Sequence, residues 1–268
     1  MYIIIFGDEC GSPISCVAEF PAAIRAANRL PASDFMNWKT LINLQIGLEY
    51  RVNGAGLLVP FAGSREQAWF ICYAGDFGER RFYRHDLDGE LRLELEGFPE
   101  RAAFEDLAAV ERILGDRLVE RAWVGWSGTV PVGAVVAGAG EVRLLRRGDR
   151  SVVEASGLKL IGANADGLFG DSSAGGRERP AAGAFVDGAL VSICESSREN
   201  EAAAEAWVQT APNHRRRGCG RAAVAAWAGA IQKNGKVPLY SYSEENVASA
   251  ALLRSLGGEE FARVVAFA

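Results

Sequence analysis

The feature that most constrains this chain is a run of arginines and glycines between a strand-like and a helix-like segment. Residues 215–221 read Arg-Arg-Arg-Gly-Cys-Gly-Arg. Before them, Trp207-Val208-Gln209-Thr210 carries the aromatic and β-branched residues that suit a strand, and Pro212 removes a backbone donor and ends it. After them the chain turns alanine-rich through Ile231, a composition of high helix propensity. Glycines at 218 and 220 allow a tight turn and close approach of a ligand to the backbone. A helix start leaves amide N–H groups without acceptors, at the positive end of the helix dipole. Together with the flanking arginines, those amides make a site for a phosphate-like anion. No Gly-Lys-Ser/Thr follows, so this is not a Walker loop, and the six-residue dinucleotide fingerprint is absent as well.

The order of elements around this turn narrows the reading. Residues 183–194 form the clearest hairpin signal, with Asp187-Gly188 as a two-residue turn between apolar runs. Residues 195–201 read as a polar connection, and residues 202–210 as the next antiparallel strand. After the alanine-rich helix come a short strand at 238–242, a helix opening at Asn246 and ending at Gly257-Gly258, and a last strand at 261–267.

Arg215-x-x-Gly218-x-Gly220, preceded by Val208-Gln209-Thr210, resembles the Arg/Gln-x-x-Gly-x-Gly/Ala motif of the GNAT superfamily of acetyl-CoA-dependent N-acetyltransferases. The resemblance covers about residues 181–258. It implies an α/β (α+β) fold, with a mixed, mostly antiparallel sheet and flanking helices. It also implies acetyl-CoA as co-substrate and a small amine as acceptor, aminoglycoside-type antibiotics among the candidates. The pantetheine arm is expected along Val208, Gln209 and Thr210. The pyrophosphate is expected on Arg215, Arg216, Arg217, Gly218, Cys219, Gly220, Arg221 and Ala222, and further coenzyme contacts at Asn246 and Ser249. Direct attack of a neutral amine on the thioester needs no protein nucleophile, so Cys194 and Cys219 are read as core and loop residues. It does need a base for the ammonium proton. Glu205 is the first candidate, with Glu195 and Glu201 behind it. The family's usual tyrosine acid falls at Leu253, which leaves the acid open among water, Ser243, Tyr240 and Tyr242. Acceptors of other kinds, a protein or an amino acid, and a non-catalytic acyl-CoA sensor are the alternatives.

The rest of the chain bounds these readings. Its 268 residues suffice for one large or two small domains. A glycine- and proline-containing stretch at 125–140 is the best linker candidate. It divides an N-terminal α/β region (1–125), either a degenerate GNAT-like domain or one body with the rest, from an acetyltransferase domain (126–268). Hydrophobic residues at 49% and charged residues at 24% are ordinary for a globular protein. A net charge of −5 argues against general nucleic-acid binding and suits a cationic acceptor. The five cysteines form no Cys-x-x-Cys pair and there are two histidines, so no metal site is expected and the thiols are read as reduced in a cytoplasmic protein. No apolar run is long enough for a span or signal.

Within the first half, residues 21–30 read as helical, and Ser33 or Asp34 as the cap of a helix running to about Leu48. Residues 57–61, 67–73 and 121–126 read as strands, and 104–118 as one helical stripe. His85 with Asp86 and Asp88 reads as a solvated turn. Beyond the linker, 151–158 is a helix candidate. Residues 162–182, with Asp166, Asp171 and Glu178, read as a loop that either covers a site or lies on the surface.

Overall fold

A computed structural model describes residues 37–62, 67–76, 78–119, 122–131, 133, 140–161, 168 and 179–268. The expected elements in 1–36, and most of the 162–182 loop with Asp166, Asp171 and Glu178, lie outside the described residues.

In chain order, α1 is Trp38–Glu49, β1 is Tyr50–Val52, β2 is Leu58–Pro60, β3 is Phe70–Gly75 and β4 is Gly78–Tyr83. Helices α2 (Gly89–Glu96), α3 (Ala102–Glu105) and α4 (Leu107–Leu114) follow, then β5 (Trp123–Thr129), β6 (Glu141–Leu144) and α5 (Arg150–Ala155). The remainder is β7 (Ala181–Val186), β8 (Ala189–Glu199), β9 (Ala203–Thr210), α6 (Cys219–Lys233), β10 (Val237–Ser243), α7 (Val247–Ser255) and β11 (Glu259–Phe267).

These elements sort into two compact units that are not consecutive in sequence. Of the described residues, one unit holds 129–240 and 251–259, the other 37–128, 241–250 and 260–268. Strand β10 and helix α7 therefore contribute residues to both.

In the second unit, β4 and β11 each pair antiparallel with β3, and β5 lies beside β11. One side buries Ile42, Ile46, Leu58, Ile71 and Phe82; the other buries Leu95, Val110, Leu114, Val265 and Phe267. Phe70 stacks between Tyr83 and Phe267, with ring centroids 5.2 and 5.7 Å away. Several local expectations change here. The α1 cap is Asn37, whose Oδ1 accepts the Lys39 N–H at 2.9 Å. The stripe at 104–118 is broken at Asp106, which leaves the helical region and caps α4 by accepting the Ala109 N–H. Asp88 caps α2, so the acidic turn after His85 is a helix start. The linker candidate begins too early, because β5 runs on to Thr129.

In the first unit, β6, β7, β8 and β9 form an antiparallel run, and β10 joins β9 in parallel. The hairpin turns at Asp187 and Gly188, both at positive φ (50° and 78°), as the tight two-residue turn requires. Residues 195–199 are not a connection but the second half of β8, with Glu195 and Ser196 buried. The reversal is confined to Asn200 and its neighbours, where the Asn200 Oδ1 accepts the Ala202 and Ala203 N–H groups. Helix α6 packs Cys219, Ala222, Ala223, Val224, Trp227, Ala228 and Ile231 inward, a stripe at helical spacing. Its fully buried Trp227 donates its indole N–H to Ser196 Oγ at 3.1 Å.

Candidate functional site

Strand β9 organises the site because its two edges are used differently. Toward β8 it is paired along its length, from Ala204–Glu199 to Thr210–Ser192. Toward β10 the register covers only Ala203–Val237, Ala204–Pro238 and Glu205–Leu239. The Val237 N–H donates to Ala202 C=O, so even-numbered residues of β9 turn their backbone groups toward β10. At the other end Ala211 N–H donates to Val191 C=O, so odd-numbered residues face β8. Ala206, Val208 and Thr210 therefore continue, past the last registered pair, to present backbone groups along an edge with no strand partner among the described residues.

The turn after β9 is shaped by two positive φ angles, 60° at Arg216 and 83° at Gly218. Gly218 is the N-cap of α6 and brings no side-chain cap. The first helical bond recorded runs from Ala222 N–H to Gly218 C=O at 2.9 Å, so the amides of Cys219, Gly220 and Arg221 precede the helix ladder. A Cβ on Gly218 would meet nothing within 4 Å, so the backbone there is open to a ligand. Arg215, Arg216 and Arg217 are exposed, and Arg215 Nε donates to Thr210 C=O at 3.3 Å. Beside Arg217 and Cys219 lies a hollow of about 500 Å³ lined also by Gly140, Phe185 and the Asp187-Gly188 turn.

Several expected contact residues have other work. Gly220 is needed for packing: a Cβ there would stand 2.9 Å from Thr210 Oγ1. The Cys219 side chain is buried against Ala184 and Val191, which leaves its backbone N–H to face a ligand. The Ala222 N–H is used inside the helix, so Ala222 has no backbone donor to offer. Gln209 turns its backbone toward β8, where its carbonyl accepts from Ser192 Oγ at 2.9 Å, and its Oε1 accepts the Lys159 N–H. Asn246 and Ser249 belong to the second unit, where Asn246 Oδ1 caps α7 by accepting the Ser249 N–H at 3.1 Å.

The base candidates differ in setting. Glu205 is 3% exposed; its carboxylate pairs with Arg198 and accepts from Ser197 Oγ at 3.3 Å. Glu195 is 5% exposed and its Oε1 accepts the Ile161 N–H at 2.8 Å. Glu201 is exposed in the β8–β9 turn. The Cys194 thiol is pushed well above its ordinary value by burial, and further by Glu195, so it stays protonated and is no nucleophile. Leu253 is fully buried, and Tyr242 donates its hydroxyl to Glu260. Sequence reasoning missed Arg198 and Ser197, since nothing local in the run 195–199 signals that it folds back beside Glu205.

A family described as FR47-like protein matches residues 184–265. No curated protein matches the chain. Among solved structures, a GCN5-related N-acetyltransferase-like protein from Streptococcus suis is 18% identical over 91% of this chain and 97% of its own, with a TM-score of 0.47. A GNAT-family structure from Novosphingobium aromaticivorans is 19% identical over 56% of this chain and 65% of its own, at 0.42. A tandem GNAT protein from the clavulanic acid biosynthesis pathway, solved without AcCoA, is 19% identical over 64% and 59%, at 0.43. Among the described residues, no helix is long and apolar enough to cross a membrane.

Proposed function

We propose that this chain is an acetyl-CoA-dependent N-acetyltransferase that acylates a primary amine of a small molecule. The observation that carries the reading is the β9 edge beyond Glu205–Leu239, followed through the turn at 211–218 by an uncapped helix start flanked by arginines. The FR47-like match over 184–265 covers the same elements.

The residues present fit such a coenzyme. Val208 and Thr210 offer backbone groups to an amide-bearing arm. The amides of Cys219, Gly220 and Arg221 with Arg215, Arg216 and Arg217 supply donors and charge for a pyrophosphate. Acetyl-CoA supplies the activated acyl group as a thioester. The Val208 N–H is suited to polarise the thioester carbonyl, because a donor fixed in a strand needs no reorganisation as charge develops.

Glu205 is assigned to take the ammonium proton. Arg198 is its resident cation, and a cationic acceptor competes with that guanidinium for the same carboxylate. Aminoglycosides head the acceptor panel, being polycationic and complementary to an acidic protein. Localisation in the cytoplasm is part of the same reading.

A second reading is a non-catalytic acyl-CoA-binding module, favoured by the engagement of Glu205 with Arg198 and of Glu195 with Ile161. The deciding experiment records thiol release from acetyl-CoA against a panel of amines that includes aminoglycosides and peptides. Release with a small-amine class, lost in Glu205→Gln with coenzyme binding intact, supports the enzyme. Coenzyme binding without release from any amine supports the module.

A further inference from the structure

The face of β8–β9 opposite α6 carries a short irregular segment, residues 158–161, held in an unusual way. Even-numbered side chains of β9 meet the α6 start, as Val208 and Thr210 do at Gly220. Trp207 and Ile193, on the other face, belong to a cluster with Leu145, Val153, Phe185 and Leu190. Leu158 and Leu160 pack on that cluster, while Lys159 between them is exposed. The alternate amides of this segment are each caught by a side chain from the sheet. Lys159 N–H donates to Gln209 Oε1, and Ile161 N–H donates to Glu195 Oε1 at 2.8 Å. The two acceptors come from neighbouring strands, with Gln209 paired to Ile193 and Glu195 paired to Trp207. Leu158 N–H is held in turn by Ser156 Oγ at 3.1 Å.

A strand would satisfy these amides with backbone carbonyls. Here they depend on two side chains, so the segment is clasped onto the sheet rather than built into its ladder. Gln209 also sits between Val208 and Thr210, whose backbone groups face the β9 edge that has no strand partner among the described residues. One residue thus touches the 158–161 segment with its side chain and the sheet edge through its two neighbours.

We propose that Gln209 and Glu195 form a clasp that fixes residues 158–161 on the sheet face that Glu205 shares with Trp207 and Gln209, as a wall of the acceptor site, so that Glu195 is a positioning residue and not a base. The assignment of the acceptor site rests on the acetyltransferase reading; the clasp itself does not. Both acceptors are oxygens that an isosteric change preserves, which separates this role from proton transfer. Glu195→Gln keeps an oxygen for the Ile161 N–H but abolishes a carboxylate base, whereas Glu195→Ala removes both.

The test uses the full chain. Amide hydrogen exchange at Lys159 and Ile161 is followed by mass spectrometry in the wild type and in Gln209→Ala, Gln209→Glu, Glu195→Ala and Glu195→Gln. Each alanine variant is expected to speed exchange at its own amide tenfold or more, with Gln209→Glu and Glu195→Gln staying within about threefold of wild type, since a lost hydrogen bond of about 1.4 kcal/mol is a tenfold change. Unchanged exchange in both alanine variants overturns the clasp. With an amine that is turned over, the Glu195 variants separate further: alanine is expected to raise the acceptor KM more than it lowers kcat, and glutamine to restore both. Loss of kcat in Glu195→Gln as severe as in Glu195→Ala overturns the positioning role in favour of a base. If no amine supports turnover, the function reading falls while exchange still decides the clasp.

Discussion

Gly220 approaches Thr210 so closely that a Cβ on the glycine would lie 2.9 Å from the threonine hydroxyl oxygen. That hydroxyl is itself fixed, 2.8 Å from Ser192 Oγ. Strand β9, strand β8 and the first turn of α6 are locked together at this point, and the second glycine of the motif is a packing requirement. Gly220→Ala must rotate Thr210 out of its bond or push the helix start away. We expect a loss of about 1–3 kcal/mol in chemical denaturation, the usual cost of overpacking, with a parallel loss of coenzyme affinity. Gly218→Ala meets no neighbour and is strained only through its φ of 83°, at a cost of about 1–2 kcal/mol.

The arginines act through charge on the surface. Replacing Arg215, Arg216 and Arg217 together by alanine should leave thermal stability within about 1 kcal/mol, because all three are exposed. Coenzyme affinity by calorimetry should fall at least about tenfold, and its dependence on salt should flatten, if they hold a pyrophosphate. Unaltered affinity in the triple variant would falsify that placement.

Arg198 and Glu205 form a pair in which the carboxylate is 3% and the guanidinium 25% exposed. Removing one partner of a buried pair leaves an uncompensated charge, a change that costs about 3–5 kcal/mol in full burial. With Arg198 a quarter exposed, Arg198→Ala should cost about 2–3 kcal/mol. The double variant Arg198→Met with Glu205→Gln should recover most of that, as read from urea midpoints at constant slope.

Asp149 is held below the ordinary carboxylate value, chiefly by its hydrogen bonds from Arg143 at 2.7 and 2.8 Å. A carboxyl whose folded pKa is depressed contributes stability above its unfolded pKa, near 4, and loses it as pH falls through the folded value. Because Arg143 is 38% exposed, the contribution at neutral pH is at most about 1 kcal/mol. Asp149→Asn should lower stability at pH 7 by that amount, with the difference from wild type shrinking as pH falls below about 4, as measured by denaturant titration across the range.

Burial keeps the thiols of Cys72 and Cys194 protonated above their ordinary range. Peptide mapping after alkylation at pH 8 should find both unmodified in the native protein and modified after unfolding. Cys194→Ala should retain turnover, since amine attack on a thioester requires no protein nucleophile; its loss would point to an acyl-enzyme.

What the sequence determined was local. Asp187-Gly188 could only make a tight turn, the alanine stripe from Ala222 to Ile231 could only bury one helix face, and Arg215-x-x-Gly218 set a basic helix start. Each depends on φ preferences and spacings that act within a few residues. The partners were decided by tertiary structure. Strand β11 is the last element yet pairs with β3, with Phe267 opposite Phe70. The polar run 195–201 looked like a connection because its composition carries no strand signal; pairing with β9 made residues 195–199 part of a strand and placed Glu195 and Glu205 in the interior. Whether a carboxylate is a base, an ion-pair partner or a clasp depends on which donor the fold brings to it. Arg198 reaches Glu205 through the β8–β9 register, and Ile161 reaches Glu195 from 34 residues away, neither of which local propensity decides.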